Sequence, residues 1–264
     1  VNDIRKIKNF LLDMDGTIYL GNQLFSGTIP LLTRIAEKGG RAIFLTNNSS
    51  ASPATYVQKL ARLGVTVTED DIFTSGDAAV FSLLKIFGAP PKVYLLGTPE
   101  LQVQLETAGF TIVNGTAETP DCVLLGFDKT LTYQKLVDAC NWITVGVPYY
   151  ATHPDFTCPV ENGFIPDTGS MICLIEATTG KRPIIFGKPE KTMADAAMAR
   201  YGFEAATTAM VGDRLMTDIR FGNNAGMASV LVLSGETTLE DYEKQTEAYA
   251  DFIYPSVAEL CAEL

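Results

Sequence analysis

Short apolar runs alternate with amphipathic segments along nearly the whole chain, and this alternation limits the fold more than any other feature. NFLLDMD, AIFLT, VYLLG, CVLLGF, TAMVGD and ASVLVL are each long enough for one strand buried on both faces, and most are followed by a stretch with helical apolar spacing. Strands of that kind belong to parallel sheets, because a parallel connection needs a crossover segment and the crossover helices cover both faces. The expected fold class is α/β, with a doubly wound, Rossmann-like parallel sheet.

The order of elements adds a second domain. NFLLDMD ends at Asp15, a helix runs from Thr28 to Lys38 and stops at Gly39-Gly40, and AIFLT (42–46) is the second strand. A helix from Pro53 to Leu63 follows, with Ser52 as N-cap and proline at its first position. IFTS (72–75) is a third, weaker strand. Between Gly76 and Arg182 a separate series appears, with strands VYLLG (93–97), CVLLGF (122–127) and PYYAT (148–152) between helices near 77–87, 99–108, 132–145 and 169–179. The first pattern then resumes with PIIFG (183–187), a helix from Glu190 to Tyr201, TAMVGD (208–213), a short helix near 217–225, ASVLVL (228–233) and DFIYP (251–255). The expected organisation is a core of residues 1–76 and 182–264 split by an inserted α/β cap domain of residues 77–181, a size within the normal domain range.

Composition removes several function classes. Lysine and arginine total 20 against 31 aspartate and glutamate, a net charge of −11 that repels nucleic acid and anionic lipid. No apolar run approaches the length of a membrane helix, and VNDIRKIKNF lacks the apolar region of a secretory signal, so no membrane partner is expected. Five cysteines, widely spaced and without a C-x-x-C pair, fit free thiols in a reducing cytoplasm better than disulfides or zinc. His153 is the only histidine, which excludes phosphohistidine chemistry and histidine-rich metal centres. No cysteine-phosphatase loop, G-x-S-x-G, P-loop or G-x-G-x-x-G motif is present. Any catalysis rests on carboxylates, hydroxyls, amides, lysine or metal.

In doubly wound folds, ligands sit outside the carboxyl ends of the parallel strands. Four polar clusters end apolar runs here: Asp13-Met14-Asp15-Gly16-Thr17, Thr46-Asn47-Asn48-Ser49, Gly187-Lys188-Pro189, and Gly212-Asp213-Arg214-Leu215-Met216-Thr217-Asp218. Each alone reads as a solvated turn, a capping loop or a surface lysine. All four together at one sheet edge form a pattern those readings do not explain.

DMDGT, TNN, GKP and GDRLMTD, in that order, resemble the haloacid-dehalogenase superfamily of aspartate-nucleophile phosphatases. The insertion between the second and third motifs resembles the large α/β cap of the NagD-like subclass, which includes p-nitrophenyl, phosphoglycolate and nucleotide phosphatases. The resemblance covers nearly the whole chain and is specific for subclass but weak for substrate. It implies a phosphatase acting on small phosphomonoesters. Asp13 would attack phosphorus and form an aspartyl-phosphate, while Asp15 protonates the leaving group and later deprotonates water. Asp15 then needs a raised pKa, whereas Asp13, beside Mg²⁺ and Lys188, should stay ionised. Mg²⁺ would be held by Asp13, Asp213 and the backbone carbonyl of Asp15, with Asp218 either on the metal or orienting its waters or Lys188. Lys188 supplies a second cation against the charge repulsion, which reaches about 4 kcal/mol for unit charges 4 Å apart at an effective dielectric near 20. Thr46 and the amides of Asn47 and Asn48 would bind the phosphoryl oxygens.

Alternatives remain at this point. A dehalogenase needs neither metal nor Asp15 and Asp213, and a phosphomutase would place a small cap in the roughly 30 residues between Asp15 and Leu45, where a helix already stands. A receiver-like regulator phosphorylated on Asp13 would not carry the insertion or Asp15. A non-catalytic binder of phosphorylated metabolites or of a partner protein would not require both carboxylates. His153 and Asp155, just after a cap strand, are candidate substrate contacts, against the plain reading of His153 as structural. In PDTGSM (166–171), an Asp/Thr helix cap is the minimum reading. Arg214 is expected to salt-bridge a core acid such as Asp218, with pairing to a phosphate as the alternative, Trp142 to pack within the cap, and SVAELCAEL to form a docking helix. The apolar cap strands leave a homodimer through the cap as an option.

Overall fold

A computed structural model describes residues 3–160 and 163–264. They divide into two compact units: Val1–Thr46, Pro53–Phe73 and Lys188–Leu264 form one, and Asn47–Ser52 with Thr74–Gly187 form the other.

The first unit is built on a six-stranded sheet. Its order is Phe252–Tyr254, Ala228–Val232, Thr208–Gly212, Asn9–Leu12, Ala42–Thr46 and Ile72–Thr74. Asn9–Leu12 lies parallel to Thr208–Gly212 on one side, with Leu12 opposite Val211, and parallel to Ala42–Thr46 on the other, with Leu12 opposite Phe44. Every residue of Asn9–Leu12, Thr208–Gly212 and Ala228–Val232 is buried, which explains why these strands read as unbroken apolar runs. Each fully buried leucine or phenylalanine contributes roughly 1.5–3 kcal/mol. The chain leaves Asn9–Leu12 toward one edge and later returns on its other side, so this strand marks the switch point where a doubly wound sheet opens a crevice. Asp13, Thr46 and Asp213 stand at or just beyond the carboxyl ends of the adjacent strands Asn9–Leu12, Ala42–Thr46 and Thr208–Gly212. The C-terminal helix Val257–Glu263 buries Val257 and Leu260 and packs on the helix Thr28–Glu37, the docking role expected for it.

The second unit has its own five-stranded sheet, in the order Ile184–Ile185, Tyr149–Ala151, Cys122–Leu125, Lys92–Leu96 and Thr111–Val113, with parallel pairings throughout. Helices Tyr133–Thr144 and Thr168–Thr179 cover it over a core that includes Leu96, Val123, Leu125, Ile143 and Ile175. Trp142 packs on this core and donates to the Gly115 carbonyl at 3.2 Å. Asp167 caps Thr168–Thr179, accepting the Thr168 N–H at 2.5 Å.

PIIFG does not rejoin the first sheet as expected. Ile184 pairs with Tyr150 and Ile185 with Ala151, and the ladder continues through Phe186 N–H to the Ala151 carbonyl and Gly187 N–H to the Thr152 carbonyl. A short apolar run carries no mark of which sheet it will join. The chain crosses between units at the Gly187–Lys188 peptide. Lys188 therefore opens the returning segment of the first unit and does not end one of its strands.

Candidate active site

Three buried or nearly buried carboxylates and one buried lysine meet beyond the ends of the first unit's central strands. The Asp13 N–H continues the ladder to the Val211 carbonyl at 2.9 Å, which places its side chain just past Leu12. Lys188, 1% exposed, directs Nζ to Asp13 Oδ1 at 2.6 Å and to Asp218 Oδ1 at 2.7 Å. The other oxygen of Asp218 accepts the Arg214 N–H at 3.1 Å.

Asp218 reaches this place through a wide turn over Leu215–Ile219, in which the Ile219 N–H bonds back five residues to the Arg214 carbonyl. The expected helix near 217–225 is regular only from Arg220 to Ala225. A side chain at Gly212 would come within 2.3 Å of Asp218, so the close approach requires glycine there.

Asp213 is held by backbone. Its Oδ2 accepts the Glu236 N–H at 2.7 Å, and Gly16 and Gly235 close over it so tightly that a Cβ at either would lie within 2.4 Å of that oxygen. Arg214 Nε lies 3.0 Å from Glu236 Oε2, while its backbone N–H faces Asp218.

Asp13, Asp213 and Asp218 each present an oxygen such that all three lie within 4.8 Å of one another. Burial, followed by the charge of Asp218, pushes the Asp13 carboxyl well above its ordinary range, although Lys188 opposes the shift. Burial and Asp218 also raise Asp213 to about 7. Three carboxylates thus gather about one lysine. Burial works against the Lys188 ammonium, but Asp13 and Asp218 outweigh it and hold the lysine charged. Crowded oxygen donors with surplus negative charge fit a hard divalent cation such as Mg²⁺.

Asp15 stands apart from this cluster. Its side chain is 56% exposed, it accepts from Tyr19 Oη at 3.1 Å, and Lys59 Nζ lies 3.7 Å away. Sequence reasoning missed Tyr19 and Lys59, since neither belongs to a motif. Thr46 ends its strand half-buried.

The remaining candidates fall in the second unit. Asn47 is buried and donates from Nδ2 to Asp155 Oδ2 at 3.1 Å, and its carbonyl accepts from the Ser75 hydroxyl. Asn48 turns its Oδ1 back to the Ser50 N–H at 2.8 Å. His153 is fully buried with both ring nitrogens engaged, Nδ1 to Thr152 Oγ1 at 2.9 Å and Nε2 to Asp167 Oδ1 at 2.9 Å. Full burial with both ring nitrogens engaged favours the structural reading of His153. Thr152 Oγ1 also meets Ser49 Oγ at 3.0 Å, and Ser49 Oγ accepts the Phe127 N–H at 2.9 Å. This buried polar chain pins the Asn47–Ser52 loop to the second sheet, a long-range tie with no local sequence signal.

Residues 10–111 match the family model of haloacid dehalogenase-like hydrolases, and residues 185–260 match a HAD-hydrolase-like model. The chain is 32% identical to 5'-nucleotidase YutF of Bacillus subtilis over 249 residues, covering 93% of this chain and 96% of the relative. It superposes on 4-nitrophenylphosphatase from Thermotoga maritima with a TM-score of 0.93 at 45% identity, covering 98% of each chain. Glycerol phosphate phosphatase Rv1692 from Mycobacterium tuberculosis, in complex with magnesium, aligns with a TM-score of 0.89 at 31% identity, over 97% of this chain and 77% of that one.

Proposed function

The chain belongs to the haloacid-dehalogenase superfamily as a NagD-like phosphatase of phosphomonoesters, and from that premise we propose Mg²⁺-dependent hydrolysis of small esters through a phosphoryl group carried on Asp13. The observation that carries this reading is the Lys188 ammonium set between Asp13 and Asp218, with Asp213 beside them. Asp13, Asp213 and the backbone carbonyl of Asp15 would hold the metal in this reading. Bound there, Mg²⁺ would polarise a phosphoryl oxygen and offset the repulsion between phosphate and carboxylate.

Asp13 attacks phosphorus in line with the leaving group. Lys188 neutralises charge on the phosphoryl group, and Asp218 orients the lysine. The Thr46 hydroxyl and the N–H of the peptide that follows it donate to the phosphoryl oxygens. Asp15 gives its proton to the leaving oxygen and then takes one from the attacking water. Substrates are small phosphomonoesters, the class that includes the nitrophenyl, nucleotide and glycerol esters named for the relatives. No helix among the described residues is long and apolar enough to cross a membrane, and five widely spaced cysteines without a C-x-x-C pair favour a reducing compartment, the cytoplasm.

The test is release of p-nitrophenol from p-nitrophenyl phosphate by metal-stripped protein, with and without added Mg²⁺, together with mass spectrometry of acid-quenched enzyme. Metal-dependent turnover and a phosphorylated peptide containing Asp13 are expected. Full turnover after exhaustive chelation, or a phosphoryl group on another residue, would overturn the reading.

A further inference from the structure

Among the carboxylates given a role above, Asp15 is the most exposed, at 56% against 15% for Asp13. An exposed carboxylate samples several rotamers unless something holds it. Two residues hold this one, both through the same oxygen. Tyr19 Oη donates to Asp15 Oδ2 at 3.1 Å, and Lys59 Nζ stands 3.7 Å from that oxygen while lying 4.0 Å from the centre of the Tyr19 ring. Among the described residues, Asp15 Oδ1 has no hydrogen-bond partner.

The holding groups are themselves fixed. Tyr19 is fully buried, its carbonyl accepts the Gly16 N–H at 2.8 Å, and Gly16 in turn offers its own carbonyl to the Ser234 hydroxyl at 2.7 Å. Burial, together with the Asp15 charge, pushes the Tyr19 phenol up, so it remains a donor at working pH. Lys59 rises from the helix Pro53–Arg62 and packs across the tyrosine face, a cation–π contact that limits its own freedom.

We propose that Tyr19 and Lys59 are positioning residues that commit Asp15 Oδ2 and leave Oδ1 as the oxygen that carries the proton. The inference rests on the role given to Asp15 above. In the first half-reaction the bond from phosphorus to the leaving oxygen breaks with its electron pair on that oxygen, which takes the proton from Asp15 Oδ1. In the second, Oδ1 takes a proton from water as the water oxygen bonds to phosphorus, and the phosphorus–Asp13 bond breaks with its pair returning to Asp13. A carboxylate free to turn would present Oδ1 correctly for only part of the time. The cost falls where the proton is needed most, on esters with a poor leaving group.

The experiment compares kcat/KM for p-nitrophenyl phosphate with kcat/KM for the alkyl phosphomonoester that the unaltered enzyme turns over fastest, in Tyr19→Phe, Lys59→Met and Lys59→Arg. Positioning predicts a loss of at least about tenfold on the alkyl ester and no more than about threefold on the nitrophenyl ester for Tyr19→Phe and Lys59→Met. Lys59→Arg, which keeps a cation over the ring, stays within about threefold on both. Equal losses on the two esters, or undiminished alkyl turnover, would overturn the inference. Lys59 is partly exposed and tests it even if the buried Tyr19→Phe variant fails to fold. If the unaltered protein releases no p-nitrophenol with Mg²⁺, the proposed function has failed instead, so the two failures are distinct.

Discussion

Lys188 Nζ lies 2.6 Å from Asp13 Oδ1, although the two residues are 175 positions apart in the chain. The lysine is buried and its second partner, Asp218, is buried too, so no solvent compensates if the cation is removed. Lys188→Met should therefore destabilise the metal-free protein by about 3–5 kcal/mol, the usual result of leaving buried charge unpaired. Adding Asp218→Asn should recover part of that loss, because one of the stranded carboxylates becomes neutral. Urea unfolding of the two single variants and the double variant reads the coupling, and strict additivity would mean that Lys188 and Asp218 do not support each other. Turnover by Lys188→Met should fall by about a hundredfold or more.

The raised carboxylates give the metal-free protein an unusual pH dependence. A group whose folded pKa exceeds its unfolded value stabilises the fold fully below the unfolded value, near 4 for aspartate, and loses that contribution as pH rises through the folded one. For Asp213 the folded value is about 7, and Asp13 shifts in the same direction. Melting temperature without metal should fall between pH 5 and pH 8. Mg²⁺ should raise it more at pH 8 than at pH 5, since the ion competes with protons for the same oxygens. A metal-free melting temperature that is flat or rising over this range would contradict the assignment.

What could be read in advance follows from the range of the interactions. Asp13, Thr46 and Asp213 were legible because fully buried parallel strands are continuous apolar runs, and the polar residue that ends such a run stands out. The strand before Lys188 was assigned to the wrong sheet because two isoleucines cannot specify whether Tyr150 or a core strand is their neighbour. The strand Thr111–Val113 and the hairpin strands Tyr19–Leu20 and Gln23–Leu24 are too short to show a period. The pairing of Arg214 with Glu236 depends on how one turn is wound, and the hold of Tyr19 on Asp15 depends on a hydroxyl whose direction no spacing encodes.

His153 should behave as a structural residue of the second unit. Removing its ring in His153→Ala takes one buried partner each from Thr152 and Asp167, a loss of about 1–3 kcal/mol. The ratio of kcat/KM among a nucleotide, a sugar phosphate and p-nitrophenyl phosphate should stay within about twofold of the unaltered enzyme, since a buried ring selects among none of them. A ratio that moves with stability unchanged would return His153 to the substrate.

Asp15→Asn separates the two halves of the reaction. The amide keeps the size of the carboxyl group but can neither release a proton to a leaving oxygen nor take one from water. p-Nitrophenolate departs without much protonation, so attack by Asp13 should continue at a measurable rate. Hydrolysis of the resulting aspartyl-phosphate still needs a base and should slow by about a hundredfold or more. Rapid mixing with excess p-nitrophenyl phosphate should then show a burst of p-nitrophenol close to one equivalent, followed by slow turnover, as expected when the second step limits a covalent mechanism. An alkyl ester should give no burst, because its leaving oxygen cannot depart without the proton that Asp15 no longer holds. Equal slowing of both phases with both esters would mean that Asp15 does not carry the proton.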